Sequence, residues 1–216
     1  MNIGILFDLD GTLLDTLADL TDATNYALTF HGCPTRTLDE VRQFVGNGAE
    51  RLIRQAVPQD GQTDPMAVLE TFRRYYTAHC QIKTKPYDGI PEALRKLRRS
   101  HPVAIVSNKP DSAVRELSKL YFDGILARGE DVDCPRKPAP DMVFQAMNAI
   151  GVERCIYVGD SEVDILTAKN AGVPCLSVLW GFRDRAVLEA AGASDFCADP
   201  TLLPDAIVQL EELYGL

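Results

Sequence analysis

The sequence predicts an α/β protein: a doubly wound parallel sheet whose first strand is followed by an inserted all-helical segment. Three observations predict it. Short apolar runs recur at Ile3 to Leu9, Val103 to Ser107, Cys155 to Gly159 and Cys175 to Leu179, as strands buried on both faces do. Helical patterns separate the later runs, the alternation that builds a parallel sheet. Between Asp15 and Lys85 strand signals vanish and helical ones follow one another. A length of 216 residues suits a main domain with one small insertion, here a core of residues 1–14 and 86–216 and a helical lobe of residues 15–85.

In the inserted segment Leu17, Leu20 and Leu28 share one face of a first helix. Thr37-Leu38-Asp39-Glu40 reads as a capping box for a second. A third follows Gly48 through Leu52, Ile53 and Ala56, and a fourth starts at Asp64-Pro65 with Leu69, Phe72, Tyr76 and His79 on one stripe. Asp19, Asp22 and Glu50 read as solvated helix faces. Tyr87-Asp88-Gly89-Ile90-Pro91 punctuates the return to the core before a helix over Glu92 to Arg99. Further on, helices are expected over Asp111 to Tyr121, Asp141 to Ile150 and Glu162 to Ala171, the last two stopping at Gly151 and Gly172.

Composition excludes several function classes. The net charge is −9, without a Lys/Arg run, so binding to nucleic acid through a basic face is not expected. No window approaches the ~20 apolar residues that span a bilayer. The first apolar run is broken by Asp8 and lacks a basic leader, so neither a signal peptide nor a membrane partner is expected, and the expected location is the cytoplasm. The six cysteines are scattered, with no Cys-x-x-Cys pair, which argues against a zinc site and for a reducing compartment. His31, His79 and His101 lie away from every motif and read as structural, as does Trp180.

The informative residues end the apolar runs. The first run ends in Asp8-Leu9-Asp10-Gly11-Thr12, the second in Ser107-Asn108-Lys109, and the third in Gly159-Asp160-Ser161-Glu162-Val163-Asp164; Lys137-Pro138 precedes the helix before the third run. Carboxyl ends of strands are where open α/β sheets bind ligands. In an extended strand Asp8 and Asp10 face the same way and crowd one spot unless something positive stands between them. Oxygen ligands without a histidine cluster select a hard cation of the Mg²⁺ type. Lys137, Ser107 and Asn108 can donate to phosphoryl oxygens that carboxylates alone would repel. Read alone, Asp160 and Asp164 suit a helix N-terminus equally well and Lys137 a surface; the combination points to a site.

The four motifs identify the chain as resembling the haloacid dehalogenase superfamily, in its phosphoglycolate phosphatase-like branch with a helical cap. The resemblance is carried by Asp-x-Asp-Gly-Thr at Asp8 to Thr12, Ser107-Asn108, Lys137-Pro138, and Gly159-Asp160-Ser161 with Asp164. It implies a Rossmann-like core, with Asp8 as nucleophile forming an aspartyl phosphate and Asp10 as acid/base. It also implies Mg²⁺ held by Asp8, the Asp10 carbonyl and Asp160, with Asp164 orienting beside them, and a phosphoryl group held by Ser107 and Lys137, aided by Thr12 and Asn108. An acid at position 10 disfavours dehalogenation. The loop Val45-Gly46-Asn47-Gly48-Ala49 resembles the branch's specificity loop; Gly46, Asn47 and Gly48, with Arg51 and Arg54 one turn on, are candidates to meet substrate.

The expected activity is hydrolysis of a small phosphorylated metabolite, phosphoglycolate first, then pyrophosphate or a nucleotide monophosphate, by a monomer or homodimer. A β-phosphoglucomutase-like mutase and a catalytically silent binding protein are the alternatives; the Gly-Asn-Gly loop argues against the first and the complete set of acids and lysine against the second.

Overall fold

The structure, a computed structural model, describes residues 3–216; the first two residues of the expected core segment 1–14 lie outside the described residues. Its chain order is β1 (Ile3–Phe7), β2 (Leu14–Asp15), α1 (Leu17–Phe30), α2 (Leu38–Phe44), α3 (Gly48–Ala56), α4 (Pro65–His79), β3 (Lys85–Pro86), α5 (Ile90–Leu97), β4 (Val103–Pro110), α6 (Asp111–Tyr121) and β5 (Leu126–Glu130). It continues through α7 (Asp141–Ile150), β6 (Arg154–Gly159), α8 (Glu162–Ala171), β7 (Cys175–Val178), α9 (Arg185–Ala190), β8 (Asp195–Cys197) and α10 (Leu203–Tyr214).

Six strands form one parallel sheet in the order β5-β4-β1-β6-β7-β8. The chain builds outward from β1 to one side, then crosses to β6 on the other, so the order reverses beside β1 and opens a crevice at the carboxyl ends of β1, β4 and β6. Alternation along β1 serves both faces. Ile5 and Phe7 join one apolar cluster, while Leu6 packs on the other face with Val106, Tyr157, Met142 and Val143.

The helices start and stop for the reasons that the sequence suggests. Glu40 N donates to Thr37 Oγ1 at 3.2 Å while Thr37 N donates to Glu40 at 2.7 Å, the reciprocal box that opens α2. Asp64 accepts from Met66 N at the start of α4, and Gly151 and Gly172 close α7 and α8. The helix expected over Glu92 to Arg99 is instead Ile90–Leu97, because Gly89 ends the turn and Pro91 occupies the first helical turn.

Helices α1 to α4 form the insert. The chain leaves the core through β2 and returns through β3, which pair as a two-residue antiparallel ladder, Leu14 with Pro86 and Asp15 with Lys85. Its apolar faces, including Leu20, Leu28, Leu52 and Phe72, join the cluster that holds Ile5 and Phe7, so insert and sheet share buried surface.

Asp19 corrects an expectation. It is buried, not solvated, and accepts from Lys83 N at 3.0 Å and Thr84 N at 2.8 Å, pinning the returning chain to α1. Replacing it by alanine strands two N–H groups beside β3. Asp19→Ala is expected to cost about 2 kcal/mol, a fall in Tm of about 4–8 °C for a chain of this size, measured by thermal denaturation; an unchanged Tm would show that the clamp carries no stability.

Candidate active site

The strand β1 ends at Phe7, two residues earlier than expected, because the chain turns at Leu9: Leu13 N and Leu14 N both donate to Leu9 O. The two acids therefore do not crowd one spot. Asp8 meets Lys137, with Nζ 2.9 Å from Oδ1. Asp10 meets Lys109, whose Nζ donates to Oδ1 at 2.8 Å and to Oδ2 at 3.1 Å. Each carboxylate has its own buried lysine, and both line the same cleft.

Lys137 is the hub of the deeper group. Its ammonium also donates to Asp164 Oδ1 at 2.8 Å and to Tyr157 Oη at 2.9 Å. Asp164 is placed by the start of α8, where Oδ2 accepts from Ser161 N at 3.1 Å and Ser161 Oγ at 2.6 Å. Burial disfavours the lysine's charge, but Asp164 and then Asp8 outweigh it and lift its pKa well above the usual value.

Asp8, Asp160 and Asp164 offer oxygens within 4.8 Å of one another. Burial, with the charge of Asp164 added, pushes Asp8 up to about 7 despite Lys137, and the same two causes raise Asp160 well above the carboxylate range. Three buried acids and one lysine leave the group short of positive charge, and the donors are all oxygens. The residues thus fit a hard divalent cation, which would hold these acids ionised. Asp164 accepts two hydrogen bonds at each oxygen, whereas Asp160 accepts one at each, so the lone pairs left for an ion are chiefly those of Asp8 and Asp160.

Asp160, at the end of β6, is set by its surroundings. Its Oδ1 accepts from Thr12 Oγ1 at 3.2 Å and its Oδ2 from Phe182 N at 2.7 Å. Gly181 leaves it room: a Cβ there would overlap the Asp160 Cβ and carboxylate. Gly11, with φ +82°, makes a similarly close approach to the Asp160 carboxylate.

Several expected contacts fall elsewhere. Thr12 is fully buried and faces Asp160, not the cleft, because the Leu9 turn directs it toward β6. The Asp10 carboxylate lies apart from the three-acid group. Arg51 and Arg54 do not line the cleft: α3 presents Gly48, Ala49 and Leu52 to it, and Arg54 pairs with Glu50 at 2.8 Å on an exposed face. Asn47 stands at the N-cap position of α3 without a side-chain capping bond and does not line the cleft, whereas Gly46, Gly48, Ser107 and Asn108 do. Asn108 Nδ2 donates to Lys137 O at 2.9 Å and Gly46 O at 3.3 Å, tying the insert's loop to the core.

Residues that sequence reading left unassigned complete the site. Lys109 and Tyr157 carry the two ion networks; the run Ser107-Asn108-Lys109 at a strand end held the signal for the first, and nothing local marks the second. Arg183 joins core to insert, donating to Arg42 O at 2.8 Å and Val45 O at 2.7 Å while pairing with Glu162 at 2.9 Å. Arg42 Nε returns a bond to Phe182 O at 2.8 Å.

Comparison with known proteins agrees with this fold. Residues 5–178 match the haloacid dehalogenase-like hydrolase family. Phosphoglycolate phosphatase 1 of Pseudomonas aeruginosa is 35% identical over 221 residues, covering 95% of this chain and 77% of that protein. A phosphoglycolate phosphatase of Xanthomonas campestris is 34% identical over 186 residues, 83% of this chain and 84% of that one. A crystal structure from Lactobacillus delbrueckii, provisionally named phosphoglycolate phosphatase, superimposes with a TM-score of 0.89 at 37% identity, covering 96% of this chain and 99% of that one. The chain belongs to the haloacid dehalogenase-like hydrolases.

If the three acids hold Mg²⁺, Gly181→Ala, which crowds the Asp160 carboxylate, is expected to weaken its binding roughly 10–100-fold, as disturbing a supporting residue does at metal sites. The check is the Mg²⁺-dependent rise in Tm, which should shrink or vanish. An unchanged rise would remove Asp160 from the ligand set.

Proposed function

We propose that the chain is a Mg²⁺-dependent phosphatase that hydrolyses a small phosphomonoester, 2-phosphoglycolate first, through an aspartyl phosphate on Asp8. One observation carries the reading: two carboxylates two residues apart line one cleft in different environments, Asp8 in the Lys137 cluster and Asp10 alone with Lys109. Carboxylates so separated can take separate tasks in one reaction. The names of the similar phosphatases support the substrate, and the cleft's free volume of only about 50 Å³, room for a few waters, suits a small one.

Asp8 attacks phosphorus, forming an O–P bond as the bond to the leaving oxygen breaks. Asp10 gives that oxygen its proton, then takes a proton from the water that attacks the aspartyl phosphate and releases inorganic phosphate. Lys137 and Ser107 hold phosphoryl oxygens, and Lys137 with Asp164 keeps Asp8 in place. Asp8, Asp160 and the Asp10 carbonyl would hold Mg²⁺, which would supply the positive charge that lets a carboxylate approach a phosphate dianion. Residues 15–85 serve as the cap that covers the cleft, with β2 and β3 as its neck.

Two outcomes test this. Chelation should abolish phosphate release, Mg²⁺ should restore it and Ca²⁺ should inhibit, since calcium accepts a bidentate carboxylate and ties up the oxygen of Asp8 needed for attack. With an aryl phosphate, whose leaving group hardly needs a proton, Asp10→Asn should release up to one equivalent of phenol and then stall, whereas Asp8→Asn should show no burst. Mass spectrometry after acid quench should place the phosphoryl group on the peptide containing Asp8; a burst from Asp8→Asn would reverse the two roles.

A further inference from the structure

The cleft contains two donors that the chemistry above does not use. Tyr76, on α4 of the insert, is buried, lines the cleft, and has a hydroxyl without a hydrogen-bond partner in the protein. A phenol hydroxyl enclosed in this way is unfavourable unless something else accepts from it. Lys109, at the end of β4, is also buried, and its Nζ stands 4.7 Å from the centre of the Tyr76 ring. An ammonium has three N–H donors. Two sites on Asp10 receive it, at 2.8 and 3.1 Å, which leaves one donor.

Other cations do not compete for this place. Among the described residues, Arg183 is the only other cation lining the cleft, and its guanidinium is taken up by the carbonyls of Arg42, Gln43 and Val45 and by Glu162. Arg51 and Arg54 lie outside. Beside Asp10, the cleft that these donors line has an apolar part formed by Leu20, Leu52 and Phe72, the last stacked on Tyr76. A cation and a hydroxyl that line one cleft side by side favour an anionic oxygen pair over a neutral group, because charge-assisted hydrogen bonds strengthen where water is excluded.

We propose that Tyr76 and Lys109 form the subsite for a carboxylate carried by the substrate close to its phosphoester oxygen. The subsite rests on the phosphatase reading above and deepens it. Lys109 is bonded to Asp10, the group assigned to the leaving oxygen, so the carboxylate lies one ammonium away from that oxygen. This spacing suits a 2-phospho acid, with one carbon between ester oxygen and carboxylate. The insert then contributes selection through a tyrosine on its fourth helix, in place of the arginines of its third.

The experiment compares 2-phosphoglycolate with its neutral amide, 2-phosphoglycolamide. Calorimetry in the presence of Mg²⁺, on Asp8→Asn protein to prevent turnover, should show a preference for the acid of at least about tenfold. Tyr76→Phe, which removes one oxygen and keeps the ring, should reduce that preference at least about threefold, and Lys109→Gln should remove it. Lys109→Gln also disturbs Asp10, so Tyr76→Phe decides. Equal affinity for acid and amide before mutation, an unchanged preference in Tyr76→Phe, or no binding of either compound would overturn the subsite. Phosphate release by the unmutated protein separates the two readings. Turnover with an unchanged preference overturns the subsite alone. A preference that Tyr76→Phe removes, in a protein that releases no phosphate, supports the subsite and overturns the hydrolysis.

Discussion

The rest of the site depends on the buried ammonium of Lys137. It stands within 2.9 Å of Asp8, Asp164 and Tyr157 at once, and those three come from the end of β1, the start of α8 and the middle of β6. Removing one partner from such a group leaves charge in a medium that cannot solvate it. The arrangement therefore holds the end of one central strand, the middle of its neighbour and the start of one helix in mutual register. It also leaves Asp8 electrostatically unfinished: one lysine shared by two carboxylates, with Asp160 close by, leaves room for a further positive charge. The demand for a cation is a consequence of how the sheet is closed at this end.

A second lysine keeps the acids distinct. Had Asp8 and Asp10 shared one environment, each would oppose ionisation of the other and neither would have a separate task. The turn at Leu9 sends Asp10 to Lys109, whose charge burial opposes and Asp10 favours strongly enough to raise its pKa above the usual value. Lys109 lies against Tyr76 of the insert, so the acid is placed by the core and walled by the insert.

Insert and core are also joined by reciprocal arginines. Arg183 reaches from the core to the carbonyls at the end of α2, and Arg42 reaches back to the carbonyl of Phe182. The N–H of that same Phe182 donates to Asp160. One peptide segment thus touches both the insert and a candidate metal ligand, and the position of the helices over the cleft is mechanically tied to the carboxylate beneath it.

Much of this was legible in the amino-acid sequence. Strand-length apolar runs, the capping box at Thr37 and the stops at Gly151 and Gly172 are local properties, set by burial and backbone sterics, and they specify where elements begin and end. The edge strands β5 and β8 were not legible: Leu-Ala-Arg-Gly-Glu and Asp-Phe-Cys bury too little to show a pattern, and only pairing with a neighbour makes them strands. The polar residues that end the central strands were visible because unpaired acids are costly beside a buried strand. Which lysine each acid meets was not, since Lys137 and Lys109 lie far along the chain from Asp8 and Asp10. The same limit hid the burial of Asp19, the turning of Thr12 toward Asp160, the outward face of Arg51 and Arg54, and the lone hydroxyl of Tyr76. By itself the sequence determined the elements and the chemical types gathered at the strand ends. Only the tertiary structure decided the pairings, because a charge buried by folding is stabilised by whatever the fold brings within about 3 Å of it, and sequence distance does not encode that.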